Sequence, residues 1–225
     1  MNPNSTPAGV RWLRFALWAL LLMVLFGLAA VWWWGTGRRA ADAARLPLLG
    51  EVPAFGLVDQ RGAPASRDRL LGEPWVADLI FTRCKSVCPL ITERMAALGP
   101  ALPAAVRRVS VSVDPTHDTP EVLARYATEH AAGDTRWLFL TGGAEEVRRL
   151  AVEGFKLGVA VTPLDDPRAA EEPITHSTRF VLVDAQGRVR GYYDAFDAAA
   201  TEALARDAAA LAAAATAERR QAGGS

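Results

Sequence analysis

One stretch, residues 75–89 (WVADLIFTRCKSVCP), constrains the fold more than any other part of the chain. Its apolar run predicts a buried strand, and the short polar loop that follows carries Cys84. Cys88 comes four residues later, and apolar residues then recur at helical spacing as far as Leu98. The two cysteines are therefore expected at a strand-to-helix turn, with Cys88 near the first helical turn. Side chains four apart on a helix lie close enough to form a disulfide or to bind one soft metal ion together.

The position of this pair favours chemistry over a structural role. The N-terminus of a helix carries partial positive charge and unpaired N–H groups, and both stabilise a thiolate. We expect Cys84 to be exposed beside Arg83 and Lys85, whose charges would lower its pKa further. A structural disulfide and two inert buried thiols are the alternatives, although a bridge across so short a loop restrains the unfolded chain little.

The N-terminal segment predicts a membrane anchor. Residues 15–34 (FALWALLLMVLFGLAAVWWW) contain no charge, and as a helix they would span about 30 Å, the thickness of a bilayer core. Tryptophans lie near both ends of the segment, as in an interfacial belt. The alternative, a cleaved signal peptide, normally has a shorter apolar region. We expect a tail at 1–14, the anchor at 15–34, a linker at 35–45, a folded domain at 46–215 and a flexible tail at 216–225.

The charge balance excludes one class of partner. The 225 residues contain 25 Lys and Arg against 25 Asp and Glu, so no basic surface for nucleic acid is expected. The arginines that flank the anchor do not decide its orientation. Because of the chemistry of the cysteine pair, we expect a single-pass protein of the cytoplasmic (inner) membrane with its domain on the periplasmic side.

Strands and helices alternate along the rest of the chain. We expect a hairpin at 55–66, strands at 75–81, 106–113 and 136–140, helices at 89–98, 119–130 and 144–154, a polar loop at 162–173, a second hairpin at 178–193 and a final helix at 198–215. This order predicts an α/β domain of thioredoxin-like arrangement, in which the cysteines follow the first central strand.

A metal held by two sulfurs needs a third ligand, and the sequence offers three histidines. His176 ends the polar loop and directly precedes a strand, so the loop could swing it over the cysteine pair. His117 follows a strand that ends at the same sheet edge as Cys84 and is a second candidate. His130 is expected on the surface at a helix end. Two thiolates and one imidazole suit Cu(I), whereas structural zinc would lack a fourth ligand.

Asp78 interrupts the apolar run six residues before Cys84. A carboxylate in a buried strand is costly unless it is paired or protonated. One interpretation is a proton relay to the thiols. The alternatives are an edge position turned to solvent and a hydrogen bond to a loop.

Three motifs, in order, resemble the Sco/SenC family of membrane-anchored copper proteins. They are FTRCKSVCP, VSVDPTHDTPEVLARYA and ITHSTRFVLVDAQGRVRGYYDA, and together with the anchor they cover nearly the whole chain. The resemblance implies a three-layer, thioredoxin-like domain related to peroxiredoxins. It also implies a copper site, for Cu(I) or Cu(II), formed by Cys84, Cys88 and His176, with Asp114 beside it.

The resemblance implies that the protein delivers copper to the binuclear copper site of cytochrome c oxidase. Its partner would be the copper-bearing oxidase subunit or another copper chaperone. The alternative is a thiol–disulfide oxidoreductase that uses Cys84 and Cys88 to reduce the cysteines of that site or of other extracytoplasmic proteins. Two features lean towards redox work: Lys85-Ser86 replaces the Pro-Asp of many members, and Asp78 stands where thioredoxins keep a buried aspartate. Peroxiredoxin-like sites have a threonine three residues before the reactive cysteine. Phe81 stands at that position before Cys84, so a peroxidase is disfavoured. A membrane-tethered binding module with a structural disulfide is a further alternative.

Overall fold

The computed structural model describes residues 16–28, 43, 45–130, 134–161 and 174–223, with the backbone alone for 161, 175 and 176. The expected tail at 1–14, the linker except 43 and 45, the polar loop at 162–173 and the last two residues lie outside the described residues.

The first described helix, α1, covers residues 16–28, and all of its side chains are exposed. It lies within the anchor predicted at 15–34, whose other residues lie outside the described ranges. Among the helices that the structure describes, none is long and apolar enough to cross a membrane.

A mixed sheet forms the centre of the domain. The described strands are β1 (Gly50–Glu51), β2 (Gly56–Asp59), β3 (Pro64–Ser66), β4 (Trp75–Ile80), β5 (Arg107–Ser112), β6 (Trp137–Thr141), β7 (Val159–Val161), β8 (Ile174–His176), β9 (Arg179–Val183) and β10 (Arg188–Asp194). Eight of them form one sheet in the order β1-β10-β9-β4-β5-β6-β2-β3, while β7 and β8 pair separately. β4, β5 and β6 are parallel, and the other pairs are antiparallel.

Helices cover both faces of this sheet. They are α2 (Arg67–Leu70), α3 (Val87–Leu98), α4 (Pro120–His130), α5 (Ala144–Arg149) and α6 (Ala198–Ala222), with a 3-10 turn at Gly99–Ala101 and a π turn at Leu150–Gly154. One apolar cluster packs α3, α4 and α6 through residues such as Met95, Leu123 and Leu204. The other packs α5 and the π turn through Val147 and Leu150. Because both faces are covered, every residue of β4 is buried. The predicted α/β architecture is confirmed.

Two of the differences between the structure and the prediction concern α6 and His176. α6 ends at Ala222, not at 215, because side chains of its last turns bind the rest of the domain: Gln186 Nε2 donates to Glu218 at 2.8 Å, and Arg219 donates to the carbonyl of Gly72. His176 is the last residue of β8 and does not end an irregular loop, since its backbone is paired with Val159 of β7.

The parallel pairing determines where the candidate site lies. β4 and β5 run in register from Trp75 opposite Arg107 to Ile80 opposite Ser112. The loops that follow these two strands therefore leave the same edge of the sheet, which we call the carboxyl edge. β9 is antiparallel to β4, with Trp75 opposite Val183, so β9 begins at the carboxyl edge and ends at the opposite edge.

Candidate thiol and metal site

Cys84 lies in the tight turn between β4 and α3. Its backbone N–H donates to the carbonyl of Phe81 at 3.3 Å. Its Sγ accepts the backbone N–H of Cys88 at 3.4 Å and lies 3.6 Å from Ser86 Oγ. The sulfur thus satisfies one of the N–H groups that a helix N-terminus leaves without a helical partner. The expectation that Cys84 is exposed was wrong: it is 5% exposed, because the turn folds its sulfur against the start of α3.

The two thiols differ in acidity. Burial alone raises the pKa of Cys84, but hydrogen bonds from Cys88 and Ser86 outweigh it and hold the pKa below its ordinary value of 9.0. Burial is also the main reason why the pKa of Cys88 lies well above its ordinary range, and the nearby charges of Cys84 and Asp78 raise it further. Neither cysteine is in a disulfide. In this reduced form, Cys84 is the better nucleophile, because the thiolate is the reactive species.

Arg83 does not act on Cys84 as the sequence suggested. Its Nε and Nη2 donate to Asp114 Oδ2 at 2.9 Å and 2.5 Å, so its charge is compensated by a buried carboxylate. Lys85 is exposed to solvent, where a charge is strongly screened. Hydrogen bonds to the sulfur, not neighbouring cations, therefore explain the lowered pKa of Cys84.

A second buried carboxylate at this turn was not singled out from the sequence. Asp118 is 0% exposed. It accepts the backbone N–H of Thr82 at 3.0 Å, the hydroxyl of Thr82 at 2.5 Å and the hydroxyl of Ser112 at 2.5 Å. The only sequence signal was its place in the Asp-Thr-Pro of the second motif, which does not reveal which side chain it binds.

Asp78 lies inside the domain, in the middle of β4, and is 1% exposed. Neither carboxylate oxygen has a hydrogen-bond partner of normal geometry among the described residues, although Ser110 lies close enough to favour the charged form slightly. Burial raises its pKa to about 7. Both structural alternatives, an edge position and a hydrogen bond to a loop, were therefore wrong, because β4 lies between β9 and β5.

The three histidines lie in different elements of the fold. His117 is exposed in the loop after β5. His130 ends α4, and its ring packs against Tyr126 with 4.3 Å between centroids. Across the part of the chain that the structure describes, no three His, Cys, Asp or Glu side chains are arranged to hold a metal ion. The side chain of His176 lies outside that part, so its role as a ligand stays a prediction.

The backbone of His176 is nevertheless described. It pairs with Val159 across the β7–β8 hairpin. Val159 and Ile174 pack against the apolar cluster that includes Cys84 and Cys88. β9 then begins at Arg179, three residues after His176, at the carboxyl edge.

Comparison with known proteins identifies relatives of the whole domain. The SCO1/SenC family model matches residues 48–213. The chain is 36% identical over 152 residues to a SCO1 protein homolog of Bacillus subtilis, covering 66% of this chain and 76% of that protein. It is 31% identical over 156 residues to a putative copper-binding protein of Stutzerimonas stutzeri, covering 68% and 73%.

Two solved structures share the fold at comparable identity. A SCO1/SenC family lipoprotein from Bacillus anthracis is 33% identical, with a TM-score of 0.65 over 75% of this chain and 98% of that one. BsSco, described as a member of the Sco family of cytochrome c oxidase assembly proteins with a disulfide switch, is 31% identical, with a TM-score of 0.62 over 74% and 98%. The mixed α/β fold is thus of the Sco, thioredoxin-like type, as the sequence motifs predicted.

Proposed function

The chain belongs to the SCO1/SenC family, and we propose that it is a membrane-anchored copper-binding assembly factor that delivers copper to the binuclear copper site of cytochrome c oxidase. The observation that carries the proposal is the reduced pair of cysteines at the start of α3, in which Cys84 has a lowered pKa. Thiolates are soft ligands that select Cu(I). Copper binding in one relative and oxidase assembly in another support the same conclusion.

We infer that His176 supplies the third ligand to copper. The backbone pairing of His176 with Val159 supports this, because Val159 packs on the cluster that contains both sulfurs. Two sulfurs and one imidazole form a three-coordinate soft site, whereas structural zinc sites have four ligands. Asp114 would act indirectly, by binding Arg83 and so holding the residue before Cys84.

Residues 15–34 would anchor the domain on the periplasmic side of the cytoplasmic membrane. The apolar side chains of α1 have no protein partner among the described residues, and Phe26 is 79% exposed. Such a surface is unfavourable in water and favourable in lipid. A relative described as a lipoprotein also supports membrane attachment. A reporter enzyme that is active only outside the cytoplasm, fused after Ser225, should be active, and inactivity of a well-expressed fusion would contradict the orientation.

Complementation of cells that lack their own Sco protein tests the function. The full-length chain should restore cytochrome c oxidase activity, and Cys84→Ser and His176→Ala should not, at normal protein levels. His130→Ala is the matched control, because the ring of His130 packs on Tyr126 at the end of α4 and His130 is not a proposed copper ligand. If His117→Ala or His130→Ala abolished oxidase activity while His176→Ala retained it, the assignment of the ligands would be wrong.

The difference in acidity between the two thiols favours a second function, thiol–disulfide exchange on extracytoplasmic cysteines. The acidic Cys84 would attack, the less acidic Cys88 would resolve the mixed disulfide, and the charge of Asp78 acts on Cys88. A carboxyl whose pKa is about 7 is suited to exchange protons near neutral pH. Asp78 would thus relay the proton of Cys88.

The two functions separate in two measurements. If His176→Ala restored oxidase activity fully while Cys84→Ser did not, exchange and not copper delivery would be the main function. A proton relay by Asp78 predicts that the rate of disulfide reduction changes with pH near 7 and that Asp78→Asn removes this change. An unaltered pH profile in Asp78→Asn would exclude the relay.

A further inference from the structure

Asp118 is a buried carboxylate to which neither proposed function gives a role. It lies in the loop between β5 and α4, and its side chain is enclosed at the carboxyl edge. Thr82, which lies in the Cys84 turn, donates two hydrogen bonds to Asp118. Ser112, at the end of β5, donates another. Asp118 therefore joins the turn to the neighbouring strand through side-chain contacts.

The same network continues through Ser112 to Asp114. The Ser112 hydroxyl donates to Asp118 and accepts the backbone N–H of Asp114 at 3.1 Å. The backbone N–H of Asp118 donates to the carbonyl of Asp114 at 2.9 Å. Hydrogen bonds hold Asp118 at both its backbone and its side chain. Its carboxylate therefore fixes the position of Thr82.

The alignment of Thr82 bears directly on the sulfur of Cys84. Only Arg83 separates the two residues, and the N–H of Cys84 closes a turn on Phe81, which precedes Thr82. The Sγ of Cys84 accepts the backbone N–H of Cys88 at 3.4 Å, so the conformation of the turn determines where the sulfur lies relative to α3. A rotation of the turn that lengthened this contact would move the sulfur away from the N-terminus of α3.

We propose that Asp118 is a positioning residue that, through Thr82, holds Cys84 Sγ against the N-terminus of α3 and so sets the reactivity of this thiol. Asp114 holds the same turn through Arg83, but the Arg83 side chain is 49% exposed, whereas Asp118 is 0% exposed. Hydrogen bonds to a carboxylate are stronger in such surroundings. The inference deepens the proposed function, because Cys84 is also a proposed copper ligand, yet it concerns thiol reactivity alone.

The test measures alkylation of Cys84 by iodoacetamide at pH 7 in the full-length chain carrying Cys88→Ser, which keeps the backbone N–H of residue 88. Added to this background, Asp118→Asn should slow alkylation about tenfold, the equivalent of one charge-assisted hydrogen bond. Asp59→Asn is the matched control. Asp59 is also a buried carboxylate, 4% exposed, and it caps the β2–β3 turn by accepting the N–H groups of Arg61 and Ala63, so alkylation should stay within about twofold of the parent.

Substitutions of Thr82 keep the proposal testable if Asp118→Asn does not fold. Thr82→Val removes the hydroxyl that donates to Asp118 at nearly constant volume and should also slow alkylation, whereas Thr82→Ser keeps the hydroxyl and should restore the parent rate. Equal rates for Thr82→Val and Thr82→Ser would overturn the proposal. So would an Asp59→Asn variant that lost as much reactivity as Asp118→Asn at the same melting temperature. Copper titration of the parent chain, in which Cys84 and Cys88 are both present, is a separate readout. If the parent chain failed to bind copper while the alkylation rates followed the pattern expected here, the proposed function alone would be contradicted.

Discussion

The buried surroundings of Asp78 determine the protonation state of its carboxyl group. Val76 and Ile80, its neighbours on the same face of β4, belong to the cluster that packs α3, α4 and α6. In that apolar setting the charged form of a carboxyl is disfavoured, which is why burial raises the pKa of Asp78 to about 7. Folding therefore favours the protonated form of this side chain.

The raised pKa of Asp78 predicts a pH-dependent stability. The unfolded chain releases the Asp78 proton near pH 3.8 and the folded chain near pH 7, so the free energy of unfolding should fall as pH rises between these values. Asp78→Asn removes this ionisation and should gain stability relative to the parent from pH 4 to pH 8, on the order of a few kcal/mol. Urea unfolding at both pH values measures it.

The exposed Asp68 provides the control for this experiment. Asp68→Asn should leave the pH dependence of the unfolding free energy as it is in the parent chain, because Asp68 lies on the surface of α2. If the unfolding free energies of Asp78→Asn and of the parent chain changed by the same amount between pH 4 and pH 8, Asp78 would not titrate as its burial predicts.

Among the elements, those whose pattern is local were predicted well. The buried run of β4, the alternating valines of β5 and the cysteine-bearing start of α3 all follow from periodicity and flanking residues. The β7–β8 hairpin was not predicted, because its strands are three residues each and their pairing crosses a long intervening segment. Short strands carry little periodicity, and their register is set by tertiary packing.

The candidate site shows the same division. The sequence placed Cys84 and Cys88 correctly at a strand-to-helix turn, because spacing determines this. It misjudged the burial of Cys84 and the source of its acidity, because both depend on how the turn folds back onto α3. It also did not find Asp118, whose hydrogen bonds to Thr82 join residues 36 positions apart.

The N-terminus of α6 offers a prediction at this scale. Asp197 Oδ1 accepts the backbone N–H groups of Ala199 and Ala200 at 2.8 Å and 3.3 Å, so it caps a helix of 25 residues. Asp197→Ala should lower the free energy of unfolding by about 1 kcal/mol, measured by urea denaturation. Glu202→Gln, on the exposed face of the same helix, should change it by less than about 0.5 kcal/mol, and an equal loss in both variants would contradict the capping role.

At the scale of the whole molecule, Arg190 attaches the end of the linker to the domain. Arg190 donates to the carbonyls of Ala43, Leu46 and Pro47 at 2.9 Å, 2.7 Å and 3.1 Å. It also binds Asp184 at 2.9 Å, directly after β9 and therefore at the edge opposite Cys84. Arg190, whose side chain is 11% exposed, thus holds the end of the linker at Ala43 and the first residues of the domain on the side away from the thiols. If residues 15–34 are the anchor, the chain enters the domain from the side away from the thiols.

This contact predicts a change in proteolysis. Arg190→Gln should free the linker, so that trypsin cleaves after Arg45 several-fold faster while the rest of the domain stays resistant. Arg188→Gln is the control, because Arg188 also binds Asp184, at 2.8 Å, but makes no contact with the linker among the hydrogen bonds of the described residues. Mass spectrometry of the early fragments identifies the site, and equal cleavage of both variants would show that Arg190 does not hold the linker.

Titration of the reduced full-length chain with Cu(I) against a competing chelator, followed by X-ray absorption of the loaded protein, tests whether Cys84, Cys88 and His176 bind copper together. We expect one copper per chain, bound by two sulfur ligands and one nitrogen ligand. His176→Ala should lose the nitrogen and bind more weakly, and oxidation of Cys84 and Cys88 to a disulfide should abolish binding. A copper site that kept its nitrogen ligand in His176→Ala, or copper binding that survived oxidation of the two thiols, would contradict this ligand set.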